Sequence, residues 1–460
     1  MHLDIQLTEA VNVKATKITA YRSRIINFVD THNTSTSSSI AEQAFTYFDD
    51  GVLIIEDGKI KALDSAKNIS DQGFDLTHCE HLPDQLICPG FIDAHVHAPQ
   101  LDVMGSYGAQ LLDWLNTYTF PAEQQFACEE FSKQESSRFL TSLLANGTTS
   151  GLIFTTSYKH STDHLFAEAK RLNMRIIAGK VMMDRNAPDA LLDTAASSLA
   201  DTEILINSWH NNGRLGYAVT PRFAGTSTIE QLTAAGKLVE QHPDVWMHTH
   251  LSENQNEIEW TKGLFPDAKN YLDVYDTYNL VGPRSIFAHC IHLDNDELSR
   301  FSDAGCTAAF CPSSNLFLGS GLFDLAEFKS RNIPVAMASD VGAGTSLSML
   351  KTMGDAYKTC QLRSYPLSAI ESFYLSTLGA ARALQLDTYI GSLCPNKEAD
   401  FIVLNPSNNM AIKARLKRCK TIEEELFVYM TMGDERLINQ TYIAGELKYT
   451  NPLSTMEHTN

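Results

Sequence analysis

Through the middle of the chain, short runs of branched apolar residues alternate with longer segments of helical periodicity. This alternation predicts repeated β-α units and a parallel sheet. Eight runs are candidate strands: residues 91–97, 148–155, 175–183, 216–221, 245–250, 285–289, 307–311 and 334–340. Segments at 132–146, 228–242 and 367–384 have the length and spacing of helices. Eight such units predict an α/β fold, a (β/α)8 TIM-like barrel, whose chemistry lies at the carboxyl ends of the strands.

Both ends of the chain have a different pattern, in which short β-like runs are separated by turn-rich pieces. The runs are 24–28, 51–56 and 59–63 before the barrel, and 399–404, 425–431 and 438–449 after it. A polar stretch at 32–39 interrupts the first group, and Gly445 marks a hairpin turn in the last. We predict that residues 1–87 and 391–460 fold together as a small β-sandwich domain beside a barrel of residues 88–390.

Composition narrows the function classes. The chain has 460 residues and a formal charge of −19, with 36 Lys and Arg against 55 Asp and Glu, so it is a poor binder of nucleic-acid phosphates. No run of about 18 apolar residues and no basic segment before an apolar core are present, which argues against membrane insertion and secretion. The nine cysteines form no C-x-x-C pair, and we expect reduced thiols in a cytosolic protein.

The first predicted barrel strand ends in His95 and His97. Their side chains face the same way, because neighbouring residues of a strand alternate between its two faces. The pair is a weak signal by itself, since a chain with 15 histidines contains H-x-H pairs by chance, and a second pair is present at His248 and His250. Position along the predicted strands is therefore more informative than spacing.

Other predicted strands also end in polar residues. Arg222 follows the fourth strand, His250 ends the fifth with Glu253 three residues further on, His289 ends the sixth and Asp340 the eighth. A barrel brings these ends together in one mouth. Three imidazoles and a carboxylate around an open position suit a catalytic Zn²⁺ or Fe²⁺, whose bound water reaches a pKa of about 7. The residues alone therefore indicate a water nucleophile activated by a metal.

Each of these residues also has a structural interpretation. A histidine at a strand end is often a hydrogen-bonded rim residue, Asp340 could cap the next helix, and Glu253 could be an acidic residue at a helix start. Five strand ends with such roles at once are a less economical explanation than one shared site. His248 lies deeper in an apolar run and is interpreted as structural, and His292 is an alternative to His289.

Longer motifs resemble the amidohydrolase superfamily of metal-dependent hydrolases. Residues 89–97 read PGFIDAHVH, and His250, His289, Asp340 and the segment 391–401 complete the pattern. Within the superfamily, the chain is similar to the guanine deaminases through HVHAPQ at 95–100, NGTT at 146–149, GKVMMD at 179–184, TPRF at 220–223, THLSE at 249–253, AHC at 288–290, CPSSN at 311–315 and DVGAGT at 340–345. One departure, Cys394-Pro395-Asn396 in place of Pro-Gly, lies in the small domain and affects no site residue.

This resemblance implies hydrolytic deamination of guanine to xanthine and ammonia. It implies one Zn²⁺ per subunit, with Fe²⁺ as the alternative, bound by His95, His97, His250 and Asp340. In this interpretation Glu253 transfers protons and has a raised pKa in the closed site. His289 orients the attacking hydroxide, and Asp340 accepts the water's proton.

The resemblance also implies a recognition site for a purine. Arg222 has only donors, so it favours the C6 carbonyl of guanine over the amine of adenine. Gln100 holds the same polar edge, and Phe223 stacks on the ring. The full set of implied substrate-binding residues is His97, Gln100, Arg222, Phe223, His250, Glu253 and Asp340. The expected partner is guanine alone, with no nucleic acid and no membrane, in a cytosolic homodimer of purine catabolism or salvage.

Alternative functions would need different residues. A different class of zinc deaminases carries H-x-E together with P-C-x-x-C, and this combination does not occur in the sequence, which has no P-C-x-x-C. A ring hydrolase with two metals would use a carboxylated lysine, for which Lys180 is the nearest candidate, and we interpret Lys180 as structural. Another deaminase with one metal, acting on cytosine or adenosine-like compounds, and a non-catalytic scaffold remain as alternatives. A scaffold would be expected to lose ligands or Glu253, and all are present.

Overall fold

The computed structural model describes residues 17–29, 45–108 and 110–453, so the polar stretch at 32–39 lies outside the described residues. The strands are β1 (Ile18–Phe28), β2 (Phe45–Glu56), β3 (Lys59–Ser65), β4 (Glu80–Pro89), β5 (Phe91–His97), β6 (Thr148–Phe154), β7 (Arg175–Gly179), β8 (Val181–Met182), β9 (Gly216–Pro221), β10 (Trp246–Leu251), β11 (Ser285–His289), β12 (Thr307–Phe310), β13 (Val335–Met337), β14 (Phe401–Leu404), β15 (Ile438–Ile443) and β16 (Glu446–Thr450).

Helices connect and cover these strands. They are α1 (Ala66–Asp71), α2 (Leu111–Trp114), α3 (Phe120–Gln124), α4 (Glu129–Ala145), α5 (Lys159–Leu172), α6 (Ala195–Trp209), α7 (Ile229–Gln241), α8 (Gln255–Leu264), α9 (Tyr271–Asp276), α10 (Asn295–Asp303), α11 (Pro312–Phe317), α12 (Leu325–Ser330), α13 (Met349–Leu362), α14 (Ala369–Leu375), α15 (Leu378–Ala383), α16 (Met410–Leu416) and α17 (Ile422–Met432). Within the described residues, none of these helices combines the length and apolar character needed to cross a membrane.

The middle of the chain forms a parallel barrel, as predicted. Its strands follow the order β5-β6-β7-β9-β10-β11-β12-β13, and β8 pairs with β9. The last segment closes onto the first, because the amide of Asp340 donates to the carbonyl of His95 and the amide of His97 donates to the carbonyl of Val341, both at 2.9 Å. The closure therefore joins two of the predicted metal ligands through the backbone.

The two chain ends form one seven-stranded sheet in the order β16-β15-β14-β4-β1-β2-β3. Tyr21 of β1 packs with its ring centroid 5.1 Å from that of Tyr442 on β15, although β4 and β14 lie between them in the sheet. Phe401 stacks on the same Tyr442 ring at 4.3 Å. The sheet thus curls over a core of its own, which confirms a small β domain built from both ends.

Strand prediction was accurate inside the barrel. The strands at 91–97, 216–221 and 285–289 have the predicted bounds, whereas the predicted strand 175–183 is divided into β7 and β8 at Lys180. At the chain ends, the hairpin of β15 and β16 turns at Ala444 and Gly445, which have φ values of 46° and 71°. The domain limits at 87/88 and 390/391 stay a prediction; β4, which ends at Pro89, belongs to the sheet of the chain ends, and β5 belongs to the barrel.

The prediction of a strand at 425–431 was wrong, because these residues lie in α17. Thr421 caps this helix by accepting a hydrogen bond from the amide of Glu424 at 3.3 Å. Glu423, Glu424 and Glu425 occupy its first turn, where acidic side chains stabilise the helix dipole. The apolar run was therefore a buried helix face, which short periodicity does not distinguish from a strand.

The single helix predicted at 367–384 is divided into α14 and α15. Thr377 departs from helical backbone, with φ −135° and ψ −103°. The carbonyl of Ser376 at this break accepts a hydrogen bond at 2.9 Å from the amide of Ile92 in β5. The break thus satisfies a backbone donor at the base of the barrel, which helical periodicity could not reveal.

Charged residues join the small domain to the end of the barrel opposite its mouth. Glu398 accepts hydrogen bonds from Arg175 Nε at 2.8 Å and from Arg214 Nε at 3.1 Å. Arg214 also pairs with Asp400, whose carboxylate accepts the amide of Ala444 at 2.8 Å. Most of these side-chain surfaces are buried, so each charge depends on its partners.

We expect Glu398→Ala to lower the free energy of unfolding by about 3 kcal/mol, because it leaves two mostly buried guanidinium groups short of a partner. Urea denaturation of the full chain measures this change. The matched control is Glu446→Ala, which removes an exposed pair with Lys448 and should cost less than about 0.5 kcal/mol. Equal losses in the two variants would contradict a special role for the interdomain charges.

Candidate active site

Four histidines and one carboxylate meet at the carboxyl ends of the barrel strands. The ligand atoms of His95, His250, His289 and Asp340 all lie within 4.8 Å of one another. Asp340 Oδ1 is 3.1 Å from His95 Nε2 and 3.3 Å from His97 Nε2. His97 Nε2 is also 3.3 Å from His250 Nε2. The structure therefore brings together every residue predicted to bind the metal, and it adds His289 to the same cluster.

Contacts behind the cluster decide which ring nitrogens face it. His250 Nδ1 lies 2.7 Å from the carbonyl oxygen of Arg222, so Nδ1 carries the hydrogen and Nε2 keeps a free lone pair. His289 Nδ1 lies 2.9 Å from Asn315 Oδ1, with the same consequence. His95 Nδ1 lies 2.8 Å from His248 Nε2. Each of these rings therefore turns Nε2 toward the centre.

The donor set fits a divalent metal ion. The Nε2 atoms of His95 and His289 are buried and form no hydrogen bond, which is costly unless an ion uses them. Burial lowers the pKa of His95, and it lowers that of His97 to about 3 and that of His250 well below its usual value. Burial therefore favours the neutral form of each ring, which is the form that binds a metal.

Asp340 supplies the only carboxylate within the four-residue ligand group. Burial by itself would raise the pKa of Asp340, but the surrounding histidines outweigh this effect and lower the pKa well below its usual value. The carboxylate is therefore ionised. Asp340 has a φ of 50°, and it lies three residues after the end of β13. Asp340 does not cap a helix, which was the alternative role considered for it. The next described helix begins at Met349, and Ser348 is its cap residue.

Glu253 lies beside the cluster and is buried. Its Oε2 is 3.4 Å from His289 Nε2, and its Oε1 accepts a hydrogen bond from Ser320 Oγ at 3.0 Å. Burial and the neighbouring carboxylate of Asp340 raise the pKa of Glu253 to about 8. The side chain can therefore hold a proton near neutral pH, as the sequence predicted.

A second glutamate fixes the backbone of this segment. Glu257 Oε2 accepts the amides of Glu253 and Asn254 at 3.1 and 3.3 Å, and Tyr271 donates to its Oε1 at 2.5 Å. Asn254 is the cap residue of α8, so Glu253 is not needed for capping. The spacing Asn254-x-x-Glu257 is a capping signal in the sequence, and this signal could have predicted the role of Glu257.

A cavity opens above the cluster. Its lining residues include the predicted recognition residues Gln100, Arg222 and Phe223 as well as His97, His250, Glu253, His289 and Asp340. Trp114, Leu115 and Leu318 complete much of the apolar wall. All the residues predicted from the sequence to contact substrate therefore share one cavity.

An unpredicted residue, Glu123, lies behind the polar wall of the cavity and contacts two of its lining residues. This buried carboxylate accepts two hydrogen bonds of 2.8 Å from Arg222 Nη1 and one of 3.0 Å from Gln100 Nε2. Phe223 packs against Trp260 with ring centroids 5.9 Å apart. Arg222 and Glu123 form a buried ion pair, since they are 2 and 0% exposed.

Two further histidines and one lysine have structural roles. His248 is buried behind His95, as predicted. His292 Nε2 lies 2.8 Å from the carbonyl oxygen of Ser320, outside the cluster. Lys180 is buried and pairs with Asp193, so its amine is used away from the metal ligands and does not bridge two ions.

Comparison with known proteins identifies similar chains. Residues 86–448 match the model of the amidohydrolase family. A guanine deaminase of Escherichia coli K12 is 47% identical over 423 residues, covering 92% of this chain and 96% of the relative.

Solved structures of guanine deaminases are also similar to this chain. E. coli guanine deaminase matches with a TM-score of 0.89 and 45% identity, covering 95% of this chain and 99% of that one. A guanine deaminase from C. acetobutylicum with bound guanine in the active site matches with a TM-score of 0.83 and 30% identity, covering 94% of this chain and 100% of that one.

Proposed function

The chain belongs to the amidohydrolase family, and from this premise we propose that it hydrolyses the exocyclic amine of guanine to give xanthine and ammonia. The observation that carries the proposal is the convergence of a histidine and aspartate cluster, a protonatable Glu253 and a buried Arg222 on one cavity. Its similarity to guanine deaminases over more than nine-tenths of its length supports the choice of substrate.

We assign His95, His97, His250 and Asp340 as ligands of one divalent ion per chain. Zinc is our proposal, because neutral imidazoles with one carboxylate suit it, although the same set accepts Fe²⁺. When bound, the ion supplies a water molecule that is nucleophilic at neutral pH. The Nε2 atom of the assigned ligand His95, which is buried and forms no hydrogen bond, supports an ion at this place.

Proton transfer is the task of the surrounding side chains. Carbon 2 of a purine is a poor electrophile, so attack requires simultaneous protonation of the ring. Glu253 gives its proton to ring N3 and then carries a proton to the departing amine. Asp340 accepts the proton of the attacking water, and His289 orients that water through Nε2. His289 Nε2 and Glu253 Oε2 are 3.4 Å apart. This distance supports the proposed roles, because one small molecule can contact both groups.

Recognition uses the polar wall of the cavity. Arg222, Gln100 and Phe223 line the cavity. In our proposal Arg222 and Gln100 bind the edge of guanine that carries the C6 carbonyl, and Phe223 provides a flat apolar surface for the ring. A site built to satisfy a carbonyl leaves the amine of adenine unmatched. His97, His250, Glu253 and Asp340 form the floor under the reacting carbon.

We expect Arg222→Ala to raise the KM for guanine by about tenfold to a hundredfold, because it removes a charged donor to the carbonyl. The effect on kcat should be smaller. Steady-state kinetics of ammonia release measure both constants. Arg171→Ala, which removes an exposed pair with Glu168, serves as the control and should leave both constants unchanged. Unaltered guanine kinetics in Arg222→Ala would remove Arg222 from recognition.

A substrate panel tests the reaction itself. Guanine, adenine, adenosine and cytosine are offered in parallel, and ammonia and the base product are quantified. Guanine should be converted to xanthine far faster than the other compounds are deaminated. A preference for cytosine or adenosine would identify a different one-metal deaminase, and no ammonia from any compound would indicate a scaffold.

We further propose a cytosolic enzyme of guanine catabolism or salvage that forms a homodimer. All nine cysteines are free of disulfides, which is typical of a reducing compartment. The dimer rests on the resemblance to the family and on the frequency of two-fold assemblies.

A further inference from the structure

Glu123 is a buried carboxylate for which the proposed reaction has no use. It lies on the short helix α3, in the segment that connects β5 to β6, and it is 0% exposed. Buried carboxylates are rare unless they are paired. Its two oxygens hold Arg222 and Gln100, which both line the cavity. The partners of Glu123 therefore connect it to substrate recognition.

Glu123 fixes the orientation of the Gln100 amide. Gln100 Nε2 donates to Glu123 at 3.0 Å, while Gln100 Oε1 accepts the amide of Gly342 at 3.1 Å. A flip of the amide group would bring two acceptors together at Glu123 and two donors together at Gly342. Gln100 thus presents one defined pattern of donor and acceptor to the cavity.

Glu123 also fixes and neutralises Arg222. Among the described residues, the Arg222 side chain donates hydrogen bonds through Nη1 only, so the donors on Nε and Nη2 remain for a ligand. The guanidinium lies 5.3 Å from the ring centre of Phe120, which belongs to the same helix as Glu123. One helix therefore supplies both the counter-charge and the apolar support of this cation.

We infer that Glu123 is a positioning residue that sets affinity and selectivity for the base by acting through Arg222 and Gln100. This inference rests on the proposed function. The carboxylate keeps the recognition wall electrically neutral, which suits an uncharged base such as guanine. Hydrolysis converts the amidine portion of guanine into an imide, whose N–H is more acidic. An unpaired Arg222 would bind the resulting anion, so Glu123 also favours release of the product.

The test is Glu123→Gln, assayed for guanine turnover and for inhibition by xanthine in weakly alkaline buffer. We expect the KM for guanine to rise at least about tenfold and kcat to change less than about threefold. The inhibition constant for xanthine should fall, since the cation loses its partner. The matched control is Glu425→Gln, which breaks a mostly buried pair with Arg24 in the small domain and should change none of these three constants.

A double-mutant comparison with Arg222→Ala distinguishes a positioning role of Glu123 from a general effect on stability. In the Arg222→Ala background, Glu123→Gln should raise KM by clearly less than it does in the wild type, because its main partner is already absent. If Glu123→Gln does not fold, as judged by its melting curve, Glu123→Asp replaces it. The shorter carboxylate does not reach both partners, and it should raise KM while keeping the charge.

Unchanged KM in a folded Glu123→Gln or Glu123→Asp protein would overturn the inference. A loss of kcat without a change in KM would also overturn it. The same would follow if Glu123→Gln raised KM as much in the Arg222→Ala background as it does in the wild type. Failure of the proposed function is distinguishable, because the wild-type protein itself would then release no ammonia from guanine.

Discussion

Replacing Glu253 with Gln should leave metal binding intact and lower guanine turnover by about a thousandfold, which is within the range for a general acid and base. The substitution keeps the size of the side chain and its acceptor for Ser320, but it removes the proton carrier. Glu253 is suited to this task because burial and Asp340 raise its pKa to about 8. Ammonia release and metal content are measured on the same sample.

Glu259→Gln is the control for Glu253→Gln. Glu259 lies on α8 six residues further on and is exposed, so the control changes the same charge without touching the cavity. Its turnover should equal that of the wild type. Near-normal turnover in Glu253→Gln would show that another group carries the proton, and loss of metal in that variant would show that Glu253 is a ligand.

Replacing Asp340 with Asn should disrupt both metal binding and catalysis. The amide is neutral, so we expect metal affinity to fall by more than about a hundredfold, beyond the usual effect of residues that only support ligands. Turnover should fall by about a further hundredfold at full occupancy, because the variant also lacks the acceptor for the water's proton. Metal titration followed by assay at saturating metal separates the two effects.

The control for Asp340→Asn is Asp324→Asn. Asp324 caps α12 through its side chain, and Asn caps helices equally well, so metal binding and turnover should be unchanged. Wild-type affinity in Asp340→Asn would mean that the three histidines bind the ion without the carboxylate.

Sequence reasoning located the barrel and the polar residues at the strand ends because both depend on local signals, whereas Gln100 and Phe223 were implied only by the family resemblance. Buried parallel strands are short apolar runs with fixed spacing, and chemistry gathers at their carboxyl ends. His95 and Asp340 could therefore be placed in one mouth although 245 residues separate them in number. Their direct contact at 3.1 Å was a consequence of barrel closure.

Other features depend on packing and could not be found in the sequence. Glu123 is an isolated acidic residue on a short helix, a pattern that is usually exposed, and only the folded chain brings it to Arg222. The segment 425–431 was assigned to the wrong element, because an apolar run of this length fits a buried helix face as well as a strand. The role of His248 behind His95 also depends on contact between distant strands.

Metal content and guanine hydrolysis measured on one preparation test the central claim most directly. We predict about one zinc ion per chain, ammonia release from guanine in proportion to occupancy, and loss of activity with a chelator that zinc reverses. Full guanine turnover in metal-free protein, or two ions per chain at full activity, would contradict a single ion held by His95, His97, His250 and Asp340.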